Sequence, residues 1–195
     1  MVILMGDSIE TADKSLKTRI EIYDWLESIV TAIIASIMIF VFFARIIDVE
    51  GTSMVPTLND RDKVFMSGLF YTPKQGDIIV LTKKSFSAIP LVKRIIATEG
   101  QTVDINFVTG DVKVDGKLLN EPYINETTHK HFDVQFPLTV PKGYIFVMGD
   151  NRNHSTDSRD SQVGFIDKRC VLGKVYFRIW PFSNIGKVYH NYNGE

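Results

Sequence analysis

The pattern of hydrophobic and polar positions divides the chain into an uncharged stretch near the N-terminus and a longer, strand-like remainder. Residues 28–44 carry no charged side chain, and Trp25 and Leu26 extend this span toward the ~20 residues that a helix needs to cross a bilayer. The stretch is apolar on all sides, whereas a core helix of a soluble protein keeps a polar face. We therefore predict a membrane-spanning helix over residues 25–45, after a polar segment over residues 1–24.

A cleavable signal peptide is the alternative interpretation of this stretch, but three features favour a retained anchor. The stretch is long, it lies well inside the chain, and Arg45 follows it without a clear small-x-small cleavage pattern. Basic residues before the stretch outnumber the single Arg45 shortly after it, which predicts a cytoplasmic N-terminus by the positive-inside rule. Everything after Arg45 is then predicted to lie on the outer side of the membrane.

The remainder of the chain has short apolar or alternating runs, separated by Gly and Pro turns, that are typical of β-strands. Seven such runs occupy residues 64–66, 78–81, 91–96, 102–108, 111–114, 144–148 and 171–180. No long amphipathic helical pattern follows Arg45, and residues 129–138 show no periodicity, so we predict a loop there. The pattern predicts an all-β domain of antiparallel sheets, barrel-like or sandwich-like, over residues 46–195.

Composition argues against several kinds of site. The 195 residues are 45% hydrophobic, and a net charge of −1 with scattered basic residues argues against a nucleic-acid-binding surface. Cys170 is the single cysteine, so no internal disulfide can form, and its apolar neighbours predict a buried, inert thiol. His129 and His131 alternate without a further Cys or His pair to complete a metal site, so we predict neither a metal nor another cofactor.

A serine in a turn rich in Gly, Thr and Pro is the first candidate for chemistry. Ser53 lies in Gly-Thr-Ser-Met-Val-Pro-Thr-Leu, where Pro56 restricts the backbone and can help to hold the hydroxyl outside a helix. It lies nine positions beyond Ala44, at most ~30 Å of chain, so the turn is expected near the membrane surface. Such a serine is often only part of a turn, and a catalytic role requires a proton acceptor. His154 lies in a polar stretch and is predicted to be a solvated loop histidine.

Lys93 is the better candidate for the proton acceptor. Alternate residues of a strand share a face, so Leu91, Lys93 and Ile95 point one way and the ammonium group lies among aliphatic side chains. Burial disfavours the charged form of lysine and lowers its pKa, which makes a neutral amine available as a general base. Arg94 cannot take this role because its guanidinium stays protonated. The pattern alone also allows a Lys-Arg pair with buried stems and solvated charged ends.

A third candidate stretch follows one of the predicted strands. Residues 149–159 are dense in hydrogen-bonding side chains, which is unusual for a simple connection. A neutral lysine needs a neutral partner to orient its lone pair, and Ser155 or Ser158 could provide one. Asp157 and Arg159 could pair with each other and hold the loop. The alternative is a polar, turn-rich loop with local bonds between side chains and backbone.

Together, the three stretches resemble the motifs of bacterial type I signal peptidases. Residues 53–58, Val92-Lys93-Arg94 and residues 149–159 occur in the family's order after an N-terminal anchor, and the match covers nearly the whole chain. The lysine-bearing motif is typical of the bacterial branch, and the compact chain with one anchor resembles the Gram-positive form. The resemblance implies a membrane-anchored serine endopeptidase with an all-β catalytic domain, located in the bacterial cell membrane.

The resemblance also implies a role for each matching residue. Ser53 would be the nucleophile, Lys93 the general base, and Ser155 the hydroxyl that hydrogen-bonds the lysine. Three charged residues would support the site, the last of them in a structural role: Asp157, Arg159 and Arg152.

Two departures from the family pattern leave parts of the site open. Some members carry a serine two residues before the nucleophile as an oxyanion-hole donor, and this chain has Gly51 there. The backbone N–H of Ser53 would then be the main donor, with the second unassigned; losing one such donor costs about 2.7–4 kcal/mol in another enzyme. The chain reads Ile-Ile-Ala-Thr-Glu-Gly after Arg94, where the family often has Gly and Pro near Ala97 and Glu99, so the local shape is also open.

The resemblance implies that the substrates are secreted preproteins, cut after small residues in an Ala-X-Ala-like pattern. The precursor is expected to lie extended along a strand edge, with Met54, Pro56 and Ile95 among its contacts. The lipid bilayer and the secretion translocon are further implied partners, and no nucleic acid is expected. Two alternatives are a sortase-like cysteine transpeptidase that would use Cys170, and an anchored β-rich module for binding or assembly.

Overall fold

The structure separates the chain into a helical unit and a β-rich unit. The computed structural model describes residues 3–43 and 45–188, and the two units cover residues 1–43 and 44–195. Each unit is held together by its own internal contacts.

The first unit is one long helix, α1, over Ile3–Phe43. The sequence predicted a polar segment and then a helix, whereas the structure continues the helix through both. The absence of proline and the abundance of helix-favouring side chains explain this continuity. In the part of the chain that the structure describes, no helix reaches the combination of length and apolar composition that a bilayer span requires. Ala44, which belongs to the predicted anchor, lies outside the described residues.

The second unit consists of antiparallel strands in two sheets. In chain order the described strands are β1 (Arg45–Asp48), β2 (Lys63–Ser67), β3 (Ile78–Leu81), β4 (Leu91–Thr98), β5 (Thr102–Asn106), β6 (Asp111–Val114), β7 (Lys117–Leu118), β8 (Leu138–Thr139), β9 (Tyr144–Met148), β10 (Ile166–Asp167), β11 (Val171–Trp180) and β12 (Gly186–Lys187). The larger sheet has the order β1-β2-β11-β3-β4-β9-β10, with β12 paired to β11, and the smaller has the order β7-β6-β5-β8. The predicted β-rich, antiparallel class is confirmed.

The predicted strands all occur, and their ends shift by at most two residues. β5 is shorter than predicted because Asn106 Oδ1 accepts the amides of Val108 and Thr109, at 2.9 and 3.2 Å, and starts the turn early. The strands β7, β8, β10 and β12 were not predicted, because two residues are too few to show a period. β1 was not predicted because its two apolar residues lie between charged ones. Leu138 begins β8, whereas residues 129–137 have no regular element.

Strand β4 lies inside the larger sheet and is buried on both faces. Val92, Ile95 and Ile96 each belong to a different core cluster. Lys93 and Arg94 lie between them and are 4% and 0% exposed. Their charged ends are therefore not solvated, and the alternative of a Lys-Arg pair with solvated ends is wrong. A buried cation must be either paired or neutralised, and its surroundings decide which.

Candidate active site

The turn that carries Ser53 is held in place by its own buried side chains. Met54 and Leu58 lie in one core cluster, and the amide of Leu58 donates to the carbonyl oxygen of Met54 over 2.9 Å. The amide of Val55 donates to the carbonyl oxygen of Thr52 over 3.2 Å, which closes the backbone around Ser53. The apolar residues after the serine therefore anchor the turn, while Ser53 itself remains partly exposed.

Lys93 approaches this turn from the larger sheet. It lies opposite Ile79 in the pairing of β3 with β4, and its Nζ atom is 2.7 Å from Ser53 Oγ, within hydrogen-bond distance. Burial is the largest influence on the Lys93 amine and lowers its pKa to about 8, and the negative charges of Asp157 and Asp150 partly oppose this shift. Near neutral pH, a lysine in this state is neutral, and so able to accept a proton, far more often than a solvated lysine is.

Gly149 allows the polar loop after β9 to approach the turn closely. A Cβ atom at this position would lie 2.3 Å from Ser155 Oγ and 2.5 Å from the carbonyl oxygen of Ser53, so a larger residue would clash. Asn151 fixes the same approach, because its amide donates to the carbonyl oxygen of Ser53 over 3.0 Å. Its Nδ2 donates to the carbonyl oxygen of Thr52, also over 3.0 Å. The loop is therefore attached to the backbone of the turn.

Ser155 is buried, yet its hydroxyl makes no hydrogen bond to any residue that the structure describes. The sequence predicted a bond from this hydroxyl to Lys93; the Lys93 amine instead contacts Ser53 Oγ. Asn151 Oδ1 is likewise a buried oxygen without a partner in the described part of the chain. A buried polar atom without a partner costs folding free energy, so a hydrogen-bond partner that reaches either oxygen during a reaction would be stabilised there.

Asp157 and Arg159 form a buried ion pair within the loop. Arg159 Nε and Nη2 lie 2.8 and 2.9 Å from the two carboxylate oxygens of Asp157, and Nη2 donates to the carbonyl oxygen of Arg152 over 2.6 Å. Burial alone would raise the pKa of Asp157, but the hydrogen bonds from Arg159 hold that pKa below its ordinary value. Asp157 also accepts the amide of Gly149 over 3.0 Å, so the pair supports the close approach at this glycine.

Arg152 is paired with Glu121, a residue that was not predicted from the sequence. Nη1 and Nη2 lie 2.8 and 2.5 Å from the two carboxylate oxygens of Glu121, and Nε donates to the carbonyl oxygen of Gly149 over 3.0 Å. Glu121 and Arg152 are 31 positions apart, and no motif spacing connects them. The Arg152 side chain thereby fixes the beginning of the polar loop.

A second buried ion pair that was not predicted joins Arg94 to Asp150. Arg94 Nε and Nη2 each lie 2.7 Å from one Asp150 oxygen, and Thr57 Oγ1 donates to Asp150 Oδ2 over 2.5 Å. The ring of Tyr123 stacks on the guanidinium, with 3.8 Å between the guanidinium carbon and the ring centroid. Arg94 follows Lys93 directly, and Asp150 lies in the polar stretch 149–159. Opposite charges in two candidate stretches are the sequence signal that could have indicated this pair.

Four other candidates have different surroundings. Ser158, the alternative lysine partner, accepts the amide of Val147 over 3.0 Å and so supports the backbone of β9. Of the three expected substrate contacts, Met54 and Ile95 are buried in separate core clusters, whereas Pro56 is exposed. Within this set, Pro56 is the residue that a peptide can reach without a rearrangement.

Cys170 and the three histidines in the described part of the chain take no part in the cluster around Lys93. Cys170 is partly exposed at a short 3₁₀ turn before β11, and so is less buried than predicted. His129 contacts the carbonyl oxygen of Phe107 over 3.1 Å, His131 packs against the Phe107 ring, and His154 is exposed. Among the described residues, no group of His, Cys, Asp or Glu is arranged to hold a metal ion.

The backbone N–H of Ser53 is available to stabilise an oxyanion, since it donates to no other residue in the described part of the chain. Gly51, where some family members would carry a second donor, has a φ of 84°. Its amide donates to Asp60 Oδ1 over 2.7 Å. Glycine adopts this left-handed conformation without strain, so Gly51 shapes the turn and contributes no donor side chain.

Similarity to known proteins covers most of the chain. A family model described as signal peptidase, peptidase S26, matches residues 22–180. Signal peptidase I of Bacillus licheniformis is 35% identical over 190 residues, which cover 91% of this chain and 98% of that protein. Signal peptidase I P of Bacillus subtilis subsp. natto is 36% identical over 187 residues, with coverage of 91% and 98%. A crystal structure of a signal peptidase I from Enterococcus faecalis V583 is 30% identical, with a TM-score of 0.44, over 53% of this chain and 97% of that chain.

The matched region contains all three stretches on which the resemblance rests, from the Ser53 turn to the loop that ends at Arg159. The family predicted from the sequence is thus confirmed by a family model and by relatives that share about a third of their residues over nearly their whole length. The chain therefore belongs to the peptidase S26 family of signal peptidases and is a serine-type hydrolase.

Proposed function

We propose that this chain removes N-terminal signal peptides from secreted preproteins, with Ser53 as the nucleophile and Lys93 as the general base. The observation that carries the proposal is the 2.7 Å separation between Lys93 Nζ and Ser53 Oγ in a buried setting. The lowered Lys93 pKa of about 8 supports it. With that pKa about a tenth of the amine is neutral at pH 7, compared with fewer than about one in a thousand for a solvated lysine.

The first half of the proposed reaction forms an acyl-enzyme. Neutral Lys93 accepts the proton of the Ser53 hydroxyl as Oγ attacks the carbonyl carbon of the scissile bond. The developing oxyanion accepts a hydrogen bond from the backbone N–H of Ser53. The Lys93 ammonium then gives its proton to the nitrogen of the mature chain, the C–N bond breaks, and the signal peptide remains as an ester on Ser53.

The second half releases the signal peptide. Lys93, neutral again, accepts a proton from a water molecule whose oxygen attacks the ester carbonyl. Ser53 Oγ leaves as the C–O bond breaks and regains a proton from Lys93, and the signal peptide departs with a new carboxylate. We assign Ser155 Oγ to hold the amine as it changes protonation, a role supported by a buried hydroxyl that has no other partner among the described residues. Three charged residues hold the surrounding loop: Asp157, Arg159 and Arg152.

The substrate is proposed to lie extended beside the Ser53 turn, with its backbone added to the edge of a strand. The cut after alanine-like residues is supported by family membership. Pro56 is supported as a substrate contact by its exposure next to the nucleophile.

The uncharged part of α1 is proposed to anchor the chain in the bacterial cell membrane, with the N-terminus in the cytoplasm. Ile33, Ile34 and Ile37 support this because each side chain is more than half exposed. Labelling with a membrane-impermeant maleimide in intact cells tests the orientation, in a Cys170→Ser background. Val108→Cys, at an exposed hairpin tip, should react, whereas Glu21→Cys should react only after permeabilisation. The reverse pattern would refute the orientation.

The activity is tested with the detergent-solubilised full chain, a precursor substrate, and mass spectrometry of the products. We expect one cut after a small residue, and none above background with Ser53→Ala. Alkylation of Cys170 should leave the rate unchanged, and a loss of activity would favour the cysteine transpeptidase. A serine-acylating probe should label the wild type and not Ser53→Ala. Neither labelling nor cleavage by the wild type would favour the binding module.

A further inference from the structure

A groove opens at the end of the Ser53 turn, beside Pro56 and Thr57, and its lining does not include Ser53 or Lys93. Its walls come from three segments: residues 56–57, 122–123 and 184–188. The lining is mainly apolar, and the volume is about 640 Å³. This volume is within the range of sites that bind organic ligands, so the groove can hold a large side chain of a peptide.

Hydrogen bonds from Arg178 hold the walls of this groove together. Nη1 donates to the carbonyl oxygen of Thr57 over 3.2 Å and to Asp62 Oδ2 over 3.0 Å. Nε donates to the carbonyl oxygen of Asn184 over 2.7 Å. Tyr123 is fixed in its wall by stacking 3.8 Å from a buried guanidinium. The groove is therefore preformed, which reduces the entropy lost when a peptide binds.

The groove is within reach of a peptide that is cut at Ser53. Pro56 follows Ser53 by three residues, so this wall begins at most roughly 10 Å from the nucleophile. An extended peptide covers that distance with about three residues on one side of the cut bond. Under the proposed function, the first and third residues before the cut are small and would leave the groove unfilled, and the second points to the opposite face of an extended peptide. The occupant is then the mature side of the preprotein.

We infer that the groove binds an apolar side chain near the third position of the mature protein, an inference that rests on the proposed function. Pro122, Ile185 and Val188 supply apolar surface for that side chain. Lys187 stands in the same wall and forms no ion pair with a described residue, so it favours a carboxylate next to the apolar side chain. The chain would thus select the sequence after the cut as well as the small residues before it.

Two precursors that differ only at the third mature residue, leucine or glycine, test the inference with the solubilised full chain. The wild type should cleave the leucine precursor with a kcat/KM about tenfold higher. Ile185→Asp should abolish this preference, because it places a carboxylate in the apolar groove. Leu118→Asp is the matched control, because Leu118 is 60% and Ile185 59% exposed and Leu118 belongs to the smaller sheet. Equal wild-type rates, or loss of the preference in both variants, would overturn the inference.

Cross-linking separates failure of the groove from failure of the proposed function. A precursor with benzoylphenylalanine at the third mature position is bound to Ser53→Ala, and mass spectrometry should locate the cross-link in residues 122–123 or 184–188. Cross-links confined to other segments would overturn the inference even where cleavage occurs. A cross-link that forms only after deletion of residues 189–195 would make the chain's own end the occupant. A wild type that cuts neither precursor would contradict the proposed function. The position of the cross-link would still show whether the third mature residue binds in the groove.

Discussion

Lys93 and Arg94 are neighbours in one buried strand, but only Arg94 forms an ion pair with a carboxylate in the described part of the chain. Arg94 has a counter-ion, because both oxygens of Asp150 lie 2.7 Å from its guanidinium nitrogens. Lys93 has no carboxylate within hydrogen-bond distance in the described part of the chain, and its contact is the neutral Ser53 hydroxyl. A buried amine without a counter-ion loses its proton more easily, so the lysine can serve as a base where the arginine cannot.

Arg94 and Arg159 also affect the protonation of Lys93, through the carboxylates that they bind. The carboxylates whose charges act on Lys93 are Asp157 and Asp150, and both favour its protonated form. Asp157 is bonded to Arg159 and Asp150 to Arg94, so neither carboxylate is free to pair with the lysine. The ion pairs therefore keep the lysine without a counter-ion, in addition to holding the loop in place.

Removal of the lysine amine should have the largest effect. Lys93→Ala should lower kcat/KM for precursor cleavage by about 10³-fold, the range for loss of a general base. Lys93→Arg should be equally inactive, because a guanidinium keeps its proton. Lys113→Ala, on an exposed position of β6, is the control and should retain wild-type activity. Activity of Lys93→Ala close to that of the wild type would contradict the role of this residue.

Removal of the arginine's partner should act on stability. Asp150→Ala removes the carboxylate that accepts two hydrogen bonds from the buried Arg94 guanidinium, which we expect to lower the free energy of unfolding by about 3–5 kcal/mol. Urea denaturation of the full chain in detergent, followed by circular dichroism, measures this change. The control is Asp48→Ala, which breaks the exposed Lys63–Asp48 pair and should change stability little. Similar losses in both variants would mean that burial does not determine how much an ion pair contributes to the free energy of unfolding.

Much of the fold could be predicted because the strands that form it are patterned locally. Runs such as residues 78–81 and 171–180 are long enough to show strand character, and their observed bounds agree with the prediction. β7 and β10 have two residues each, too few to show a period, so no local pattern marks them. The polar beginning of α1 has no apolar pattern, so only the helix propensity of its residues indicates that the helix starts there.

The candidate site also has parts that a single segment of sequence indicates and parts that depend on contacts between distant segments. Ser53 and Lys93 could be singled out because a turn sequence and strand alternation are properties of single segments. Their proximity depends on two segments 40 positions apart, and the sequence supplied it only through a family resemblance. Glu121 had no signal, because its partner Arg152 is 31 positions away and becomes visible only in the folded chain.

The pH dependence of cleavage should distinguish a buried amine from a solvated one. The neutral form of Lys93 is the active base, so the rate rises with pH, by about tenfold per unit below the pKa of about 8, and is constant above it. Single-turnover rates with a precursor whose residues near the cut do not titrate measure the profile. An inflection near the solvated value of ~10.4 would show that burial does not lower the Lys93 pKa.

The smallest expected effect tests whether Arg159 keeps Asp157 away from the lysine. Arg159→Met removes a positive charge that lowers the Lys93 pKa and leaves Asp157 free to favour the ammonium, so the apparent pKa should rise. The cleavage rate should then fall severalfold near pH 7 and recover on the alkaline plateau. Arg159→Lys, which keeps the charge, and Arg169→Met, at an arginine whose side chain is 89% exposed, should both preserve the wild-type profile. A purely structural role for Arg159 would instead lower the rate by the same factor at every pH, because misplacing the loop does not depend on the protonation of Lys93.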